Sequence, residues 1–149
     1  GKHVKEDCCG ARLPAIGDYG PNPLIVNIQC LAKQNPFFRT TLWTGTHMQL
    51  TLMSVPPQGE IGLEMHPDVD QFIRVEAGCG LVMMGESPET MYCRQAVEAN
   101  FGVVIPAGTW HNLVNTGSAP LKLVSAYAPP QHPFGTVHKT KEEADAAED

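Results

Sequence analysis

Glu64, His66, Gln71 and His111 are the residues of this chain whose types and spacing suit metal chemistry. Glu64 and His66 are two apart, so on a strand they point to one face. Pro67-Asp68 reads as a turn, and Gln71 opens the strand that follows. His111 comes from a separate segment, just past the Pro106-Ala107-Gly108 turn. A carboxylate and two imidazoles suit a first-row divalent ion (Zn, Fe, Ni or Mn), and they form a 2-His-1-carboxylate set with open positions. Four polar groups turned into one interior are costly to bury without a shared partner, which a metal or ordered water supplies. The alternative is that they are polar residues lining an empty or water-filled interior.

The elements that must position these residues are short strands. Phe37 to Thr44, His47 to Val55, Ile61 to His66, Gln71 to Ala77, Leu81 to Met84, Met91 to Ala96, Val103 to Pro106, Trp110 to Asn115 and Leu121 to Tyr127 all read as strands between Gly/Pro turns. Gly59, Gly62, Gly78, Gly80 and Gly108 read as turn and bulge positions. Many short strands at regular spacing predict an all-β jelly roll or small barrel. Leu24 to Ala32 is an apolar run that fits a strand or a short helix. At the other end, Thr140-x-x-Glu143 is a capping box before a short polar helix, which must dock or fray. The organisation expected is an arm over 1–34, a barrel over 35–130 and a tail with a short helix over 131–149.

The two ligand-bearing segments resemble the paired motifs of the cupin superfamily. The first motif runs Gly, five residues, His-x-His, four residues, Glu, six residues, Gly. Glu64 stands at its first His, His66 at its second, Gln71 at its Glu, and Gly78 at its final Gly. Its leading Gly is offset by one residue, to Gly59. The second motif runs Gly, five residues, Pro-x-Gly, two residues, His, three residues, Asn. Pro106, Gly108, His111 and Asn115 fit it without a gap, and Asn100 replaces its first Gly. The resemblance implies a double-stranded β-helix over roughly residues 35 to 130, with Glu64, His66, Gln71 and His111 as the metal ligands.

If those four face inward, alternation supplies their companions. Ile73 and Val75 follow Gln71, and Leu113 follows His111. On the last strand Leu121, Leu123, Ser125 and Tyr127 are preferred inward, because the other parity buries Lys122. Gln49, Thr51 and Met53 complete the expected pocket of a small-molecule ligand. His3, His132 and His138 are expected in solvent, and Arg39, Arg74, Arg94, Lys33 and Lys122 show no obvious inward position. Met48, Leu50 and Leu52, with Leu63, Met65 and Phe72, form an apolar outer stripe that predicts a homodimer.

Composition narrows the rest. A chain of 149 residues carries one sizeable core, and a net charge of −6 argues against nucleic acid. No run of eighteen apolar residues and no basic-then-apolar leader is present, so no membrane span or signal peptide is expected. The first residue is Gly and not Met, which reads as a replaced start. Cys8, Cys9, Cys30, Cys79 and Cys93 are odd in number and irregular in spacing, which predicts free thiols and a cytoplasmic protein. Three functions fit. The first is a metal-dependent sugar or sugar-phosphate isomerase, implied by a resemblance to the zinc mannose-6-phosphate isomerases, whose metal is held by Gln, His, Glu and His, the same four types with Gln and Glu exchanged in order here. The second is an iron or nickel dioxygenase. The third is a non-catalytic ligand-binding cupin, which needs no general base beyond the ligands.

Overall fold

Two antiparallel sheets face each other in the computed structural model, which describes residues 13–147. In chain order the elements are α1 (Ile28–Gln34), β1 (Arg39–Thr44), β2 (Gln49–Val55), β3 (Asp70–Ala77), β4 (Cys79–Gly85), β5 (Cys93–Glu98), β6 (Gly102–Ile105), β7 (Trp110–Asn115), β8 (Leu121–Ala128), β9 (Val137–His138) and α2 (Lys141–Ala147). The larger sheet has the order β6-β3-β8-β2-β1-β9 and the smaller β5-β4-β7. This is the expected double-stranded β-helix. One expected strand is not regular. Residues 61 to 66 run beside β7 with isolated bridges at Glu60 and Glu64, because Gly62 adopts φ +108° and breaks the extended run between them.

The period of two along each strand builds the interior in rows. Arg39, Met53, Leu123 and Val75 lie side by side across the larger sheet. Thr41, Thr51, Ser125, Ile73 and Val103 form the next row, and Gln49, Tyr127, Gln71 and Ile105 the one beyond it. All of them are buried. The preferred parity of the last strand, with Leu121, Leu123, Ser125 and Tyr127 inward, is the one observed. Met53, Ile73, Val75 and Leu113 belong to the apolar core between the sheets, so these four expected pocket residues fill the closed half of the barrel.

The middle of the outer stripe, Leu50 and Leu52, is covered within the chain. Leu13, Ile16, Tyr19, Leu24, Val26 and Ile28 pack with α1 over a cluster that contains Leu42, Leu50, Leu52 and Val124. The described part of the arm is thus a layer of the fold, and Leu52 is fully buried. This removes the centre of the surface on which the homodimer expectation rests, since Leu50 and Leu52 are no longer open to a second copy. Met48, Leu63 and Phe72 stay exposed. Cys30, in α1, is disulfide-bonded, which corrects the reading of all five cysteines as free thiols; Cys79 and Cys93 are free. Cys8, Cys9 and His3 lie outside the described residues.

The tail also returns to the barrel. β9 pairs with β1, and α2 docks through Ala144, which joins the main core. The capping box forms in a stretched version: Thr140 Oγ1 accepts from Glu143 N, and the Glu143 carboxylate accepts from Lys139 N.

The two departures from motif glycines keep a glycine's backbone. Gln58 occupies the place of the first motif's leading Gly and adopts φ +67°. Asn100 occupies that of the second motif's first Gly and adopts φ +79°. Asn tolerates this region; Gln does so at a cost. A left-handed residue costs about 1–2 kcal/mol, and glycine's extra chain entropy returns about 0.5–1. Gln58→Gly should therefore stabilise the protein by about 0.5 kcal/mol, read as a higher urea midpoint with an unchanged slope.

Candidate metal centre

The backbone itself brings the two motif segments together. Glu64 N donates to His111 O at 3.0 Å, and His111 N donates to Glu64 O at 2.9 Å. Gly108 N donates to His66 O at 2.9 Å, and Ala107 N to Asp70 Oδ1 at 2.9 Å. The Pro106–Gly108 turn, with Gly108 at φ +85°, is thus tied to the loop between His66 and β3. Glu64 and His111 become directly opposed neighbours, and His66 is fixed beside them.

Three side chains converge. One Glu64 carboxylate oxygen lies 3.7 Å from His66 Nε2 and the other 3.7 Å from His111 Nε2. The ligand atoms of Glu64, His66 and His111 all fall within 4.8 Å of one another. His111 Nδ1 lies 2.9 Å from Thr109 O. A carbonyl only accepts, so Nδ1 carries a proton and donates it there, and Nε2 faces the Glu64 carboxylate. That second hydrogen bond is the usual means of orienting a ligating imidazole. His66 Nε2 and His111 Nε2 are both buried without a hydrogen-bond partner.

Gln71 lies on β3 opposite Tyr127, whose ring is 6.0 Å from that of His66. Gln71 Nε2 donates to Ser125 Oγ at 2.8 Å, which leaves Oε1 buried and unpartnered. Beside the Glu64 carboxylate, His66 Nε2 and His111 Nε2 are thus buried polar atoms with no hydrogen-bond partner. A cation satisfies such a set, and by this test the residues fit a divalent metal. Burial works to raise the Glu64 pKa, but His111 and then His66 more than offset it, so the carboxyl is held well below the usual range. It is an anion at any physiological pH.

The surroundings hold groups that alternation does not find. A cleft of about 480 Å³ is lined by Glu64, Met65, His66, Gln131, His132, Pro133, Thr136, His138 and Ala147. Its outer wall is the tail, and none of the eight expected pocket residues lines it. Gln49, Thr51, Ser125 and Tyr127 are buried inside, behind it. The readings of His132 and His138 as solvated are corrected. The rings of Tyr127 and His132 meet edge to face at 5.2 Å, and those of His66 and Tyr127 at 6.0 Å. Arg39 also points inward, only 2% exposed, and donates from Nη1 to His138 Nδ1 at 3.3 Å. Burial raises the Tyr127 pKa, so its phenol stays protonated.

A hydrogen-bond clamp holds the tail in place. Gln49 Oε1 accepts from Gln131 N at 3.1 Å and His132 N at 2.9 Å, and its Nε2 donates to His132 O at 2.7 Å. The same Nε2 donates to Thr44 Oγ1, whose hydroxyl donates to Asp18 Oδ2 at 2.6 Å. That carboxylate oxygen also accepts from Gly135 N. Gln49, expected to line the pocket, instead fixes the segment that does.

This half-buried histidine gives a pH signature. Burial first, and Arg39 second, take the His132 pKa down to about 3. Below its unfolded value of about 6.5 the unfolded chain binds a proton that the folded chain refuses, so stability is lost as pH falls through this window. His138 is also lowered by burial and acts in the same direction. Glu64 contributes only below its unfolded value of 4.5. Chelator-treated wild type should lose stability between about pH 6.5 and 5, and His132→Gln should flatten that slope. Urea midpoints across the window check it; an unchanged slope contradicts the burial of His132.

Comparison with known proteins gives the family. Residues 51–127 match the model described as "Cupin domain". The uncharacterised protein YrkC of Bacillus subtilis strain 168 is 58% identical over 134 residues, covering 90% of this chain and 72% of that relative. Protein L612 of Acanthamoeba polyphaga mimivirus, also uncharacterised, is 38% identical over 114 residues, covering 76% of this chain and 69% of its own length. The crystal structure of BH2720 from Bacillus halodurans superposes with a TM-score of 0.87 at 54% identity, covering 88% of this chain and 99% of that one. The matched domain spans both ligand-bearing segments and the strands that frame them, and this chain belongs to the cupin-domain family.

Proposed function

We propose that this cupin binds one divalent metal through Glu64, His66, Gln71 and His111 and uses it to chelate a small oxygen-bearing molecule. The observation that carries the reading is the convergence of the Glu64 carboxylate with His66 Nε2 and His111 Nε2, both buried without a hydrogen-bond partner, as is Gln71 Oε1 on β3. A bound divalent ion would act there as a Lewis acid toward an oxygen of the ligand. The chain's own residues do the rest. Thr109 O orients His111, Ser125 orients Gln71, and Glu64 supplies the one negative charge of the set. The clamped tail supplies one wall of the cleft that Glu64 and His66 line.

Of the catalytic forms, isomerisation of a small hydroxy-carbonyl compound is favoured over O₂ chemistry. Such a reaction moves a proton between carbons and needs an acid/base group besides the ligands. Tyr127 stands beside His66, and His132 lines the same cleft as Glu64 and His66; neither belongs to the ligand set. The phosphate of a sugar phosphate would need a cation, and Arg39 is the buried inward-facing one. Incubating zinc- or manganese-loaded protein with short aldoses and ketoses in D₂O tests this. Metal-dependent deuterium at the carbon beside the carbonyl is the expected result. Oxygen consumption by the iron-loaded protein without such exchange would favour the dioxygenase, and neither activity would favour a binding protein.

A further inference from the structure

His132 lies on the wall of the cleft that the tail supplies, while Glu64 and His66 lie on the barrel wall. Three features set it apart from a loop histidine. Its backbone is held on both sides of the peptide by Gln49, through His132 N, His132 O and Gln131 N. Its ring stands edge-on to the buried Tyr127. Its Nε2 is buried with no hydrogen-bond partner. A ring nitrogen that is held rigidly, desolvated and unpaired carries a cost unless some other group completes it. The clamp prevents the loop from simply carrying the ring into solvent.

We infer that His132 Nε2 completes its hydrogen bonding with the ligand, gripping the end of it that does not touch the metal, and that this end is a carboxylate. This rests on the metal-binding reading above. The ligand class is then a small hydroxy or oxo acid, chelating through one end and held by His132 at the other. Charge decides for an acid over a neutral polyol. Glu64, His66 and His138 line the same cleft as His132, the His138 ring lies 6.5 Å from that of His132, and Arg39 Nη1 reaches His138 Nδ1 at 3.3 Å. Arg39 is a permanent cation, Glu64 the single anion among them, and a divalent ion on the opposite wall adds further positive charge. An imidazole N–H in that field favours an anionic acceptor, and hydrogen bonds to charged groups are the stronger ones. Asp18, Thr44 and Gln49 then act as positioning residues: they touch the loop and not the ligand.

The test uses D-glycerate as the acid probe and glycerol as its neutral counterpart, with zinc-loaded full-length protein. Zinc content is measured first. In wild type with ¹⁵N-labelled imidazoles, D-glycerate should shift the His132 Nε2 resonance and leave that of the exposed His47 unmoved, whereas glycerol should shift neither. His132→Ala should keep one zinc per chain and bind D-glycerate at least ~10-fold more weakly by calorimetry. Glycerate binding that leaves the His132 resonance in place, or unchanged affinity in His132→Ala, would overturn the role of His132. Glycerol binding as tight as glycerate, or no glycerate binding by zinc-loaded wild type, would overturn the acid class. Failure of wild type to hold zinc would instead remove the metal reading, and is seen before any probe is added. The resonance shift is read in wild type, so the test survives a poorly folding variant.

Discussion

Replacing His111 with Ala should strip the metal from this protein, with an affinity loss of at least ~100-fold, beyond the 10–100-fold typical of losing an orienting partner alone. The size follows from the site. His111 is almost wholly buried, its Nδ1 proton is committed to Thr109 O, and its Nε2 lies 3.7 Å from the Glu64 carboxylate. No other imidazole among the described residues is placed to take over, since His132 and His138 lie on the tail side of the cleft. The backbone pairing of residue 111 with Glu64 uses only main-chain atoms, so the fold should survive the change. His66→Ala should behave alike. Gln71→Ala should lose less, because a neutral amide is the weakest donor of the four. Competition with a fluorescent chelator measures all three. Wild-type affinity in His111→Ala would show that the ion, if bound, is held elsewhere.

The second large effect concerns Glu64, which replaces the motif's first His. As a ligand, its anion lowers the charge of a divalent centre to about +1, which moderates Lewis acidity relative to a neutral ligand set. As a general base beside a metal held by other groups, it would instead take a proton from the substrate. The geometry favours the ligand role: each carboxylate oxygen faces one imidazole Nε2. Glu64→Gln keeps the shape and the main-chain pairing and removes the charge. It should weaken metal binding by about 10–100-fold, and excess metal should partly restore any activity. If Glu64 were a base, metal content would stay at the wild-type level while turnover fell by about 10²–10⁴-fold. Chelator titration beside a turnover assay at two metal concentrations separates the two.

The barrel was legible because its signals are local. Alternation in Gln49-Leu50-Thr51-Leu52-Met53 and in Leu121 to Tyr127 has period two, and the pleat turns it directly into an inner and an outer face. The spacing of Glu64 with His66, and of His111 after Gly108, placed three convergent groups for the same reason. Residues 61 to 66 were harder: their pattern suits a strand, but the left-handed Gly62 interrupts the ladder, and spacing alone does not reveal φ. What could not be read was long-range. Nothing local in Pro129-Pro130-Gln131-His132-Pro133 says that the segment folds back across the barrel mouth, because the Gln49 side chain that pins it lies some eighty residues earlier. Arg39 was missed because β1 gives no contrast: Thr40, Thr41 and Leu42 beside it are all buried, with the arm covering one face and the barrel the other. The same layer of arm residues explains the covered middle of the outer stripe. An apolar strand face shows that something must cover it, and not whether that cover is a second copy or the chain's own N-terminal segment.

Metal content is the most direct test of the central claim. Protein purified without chelator, then reconstituted separately with zinc, iron, nickel and manganese and desalted, should retain one equivalent of at least one of these ions per chain by elemental analysis. The His66→Ala/His111→Ala double variant, treated in parallel, should retain none. Wild type that keeps no more of any ion than this double variant does would contradict the account.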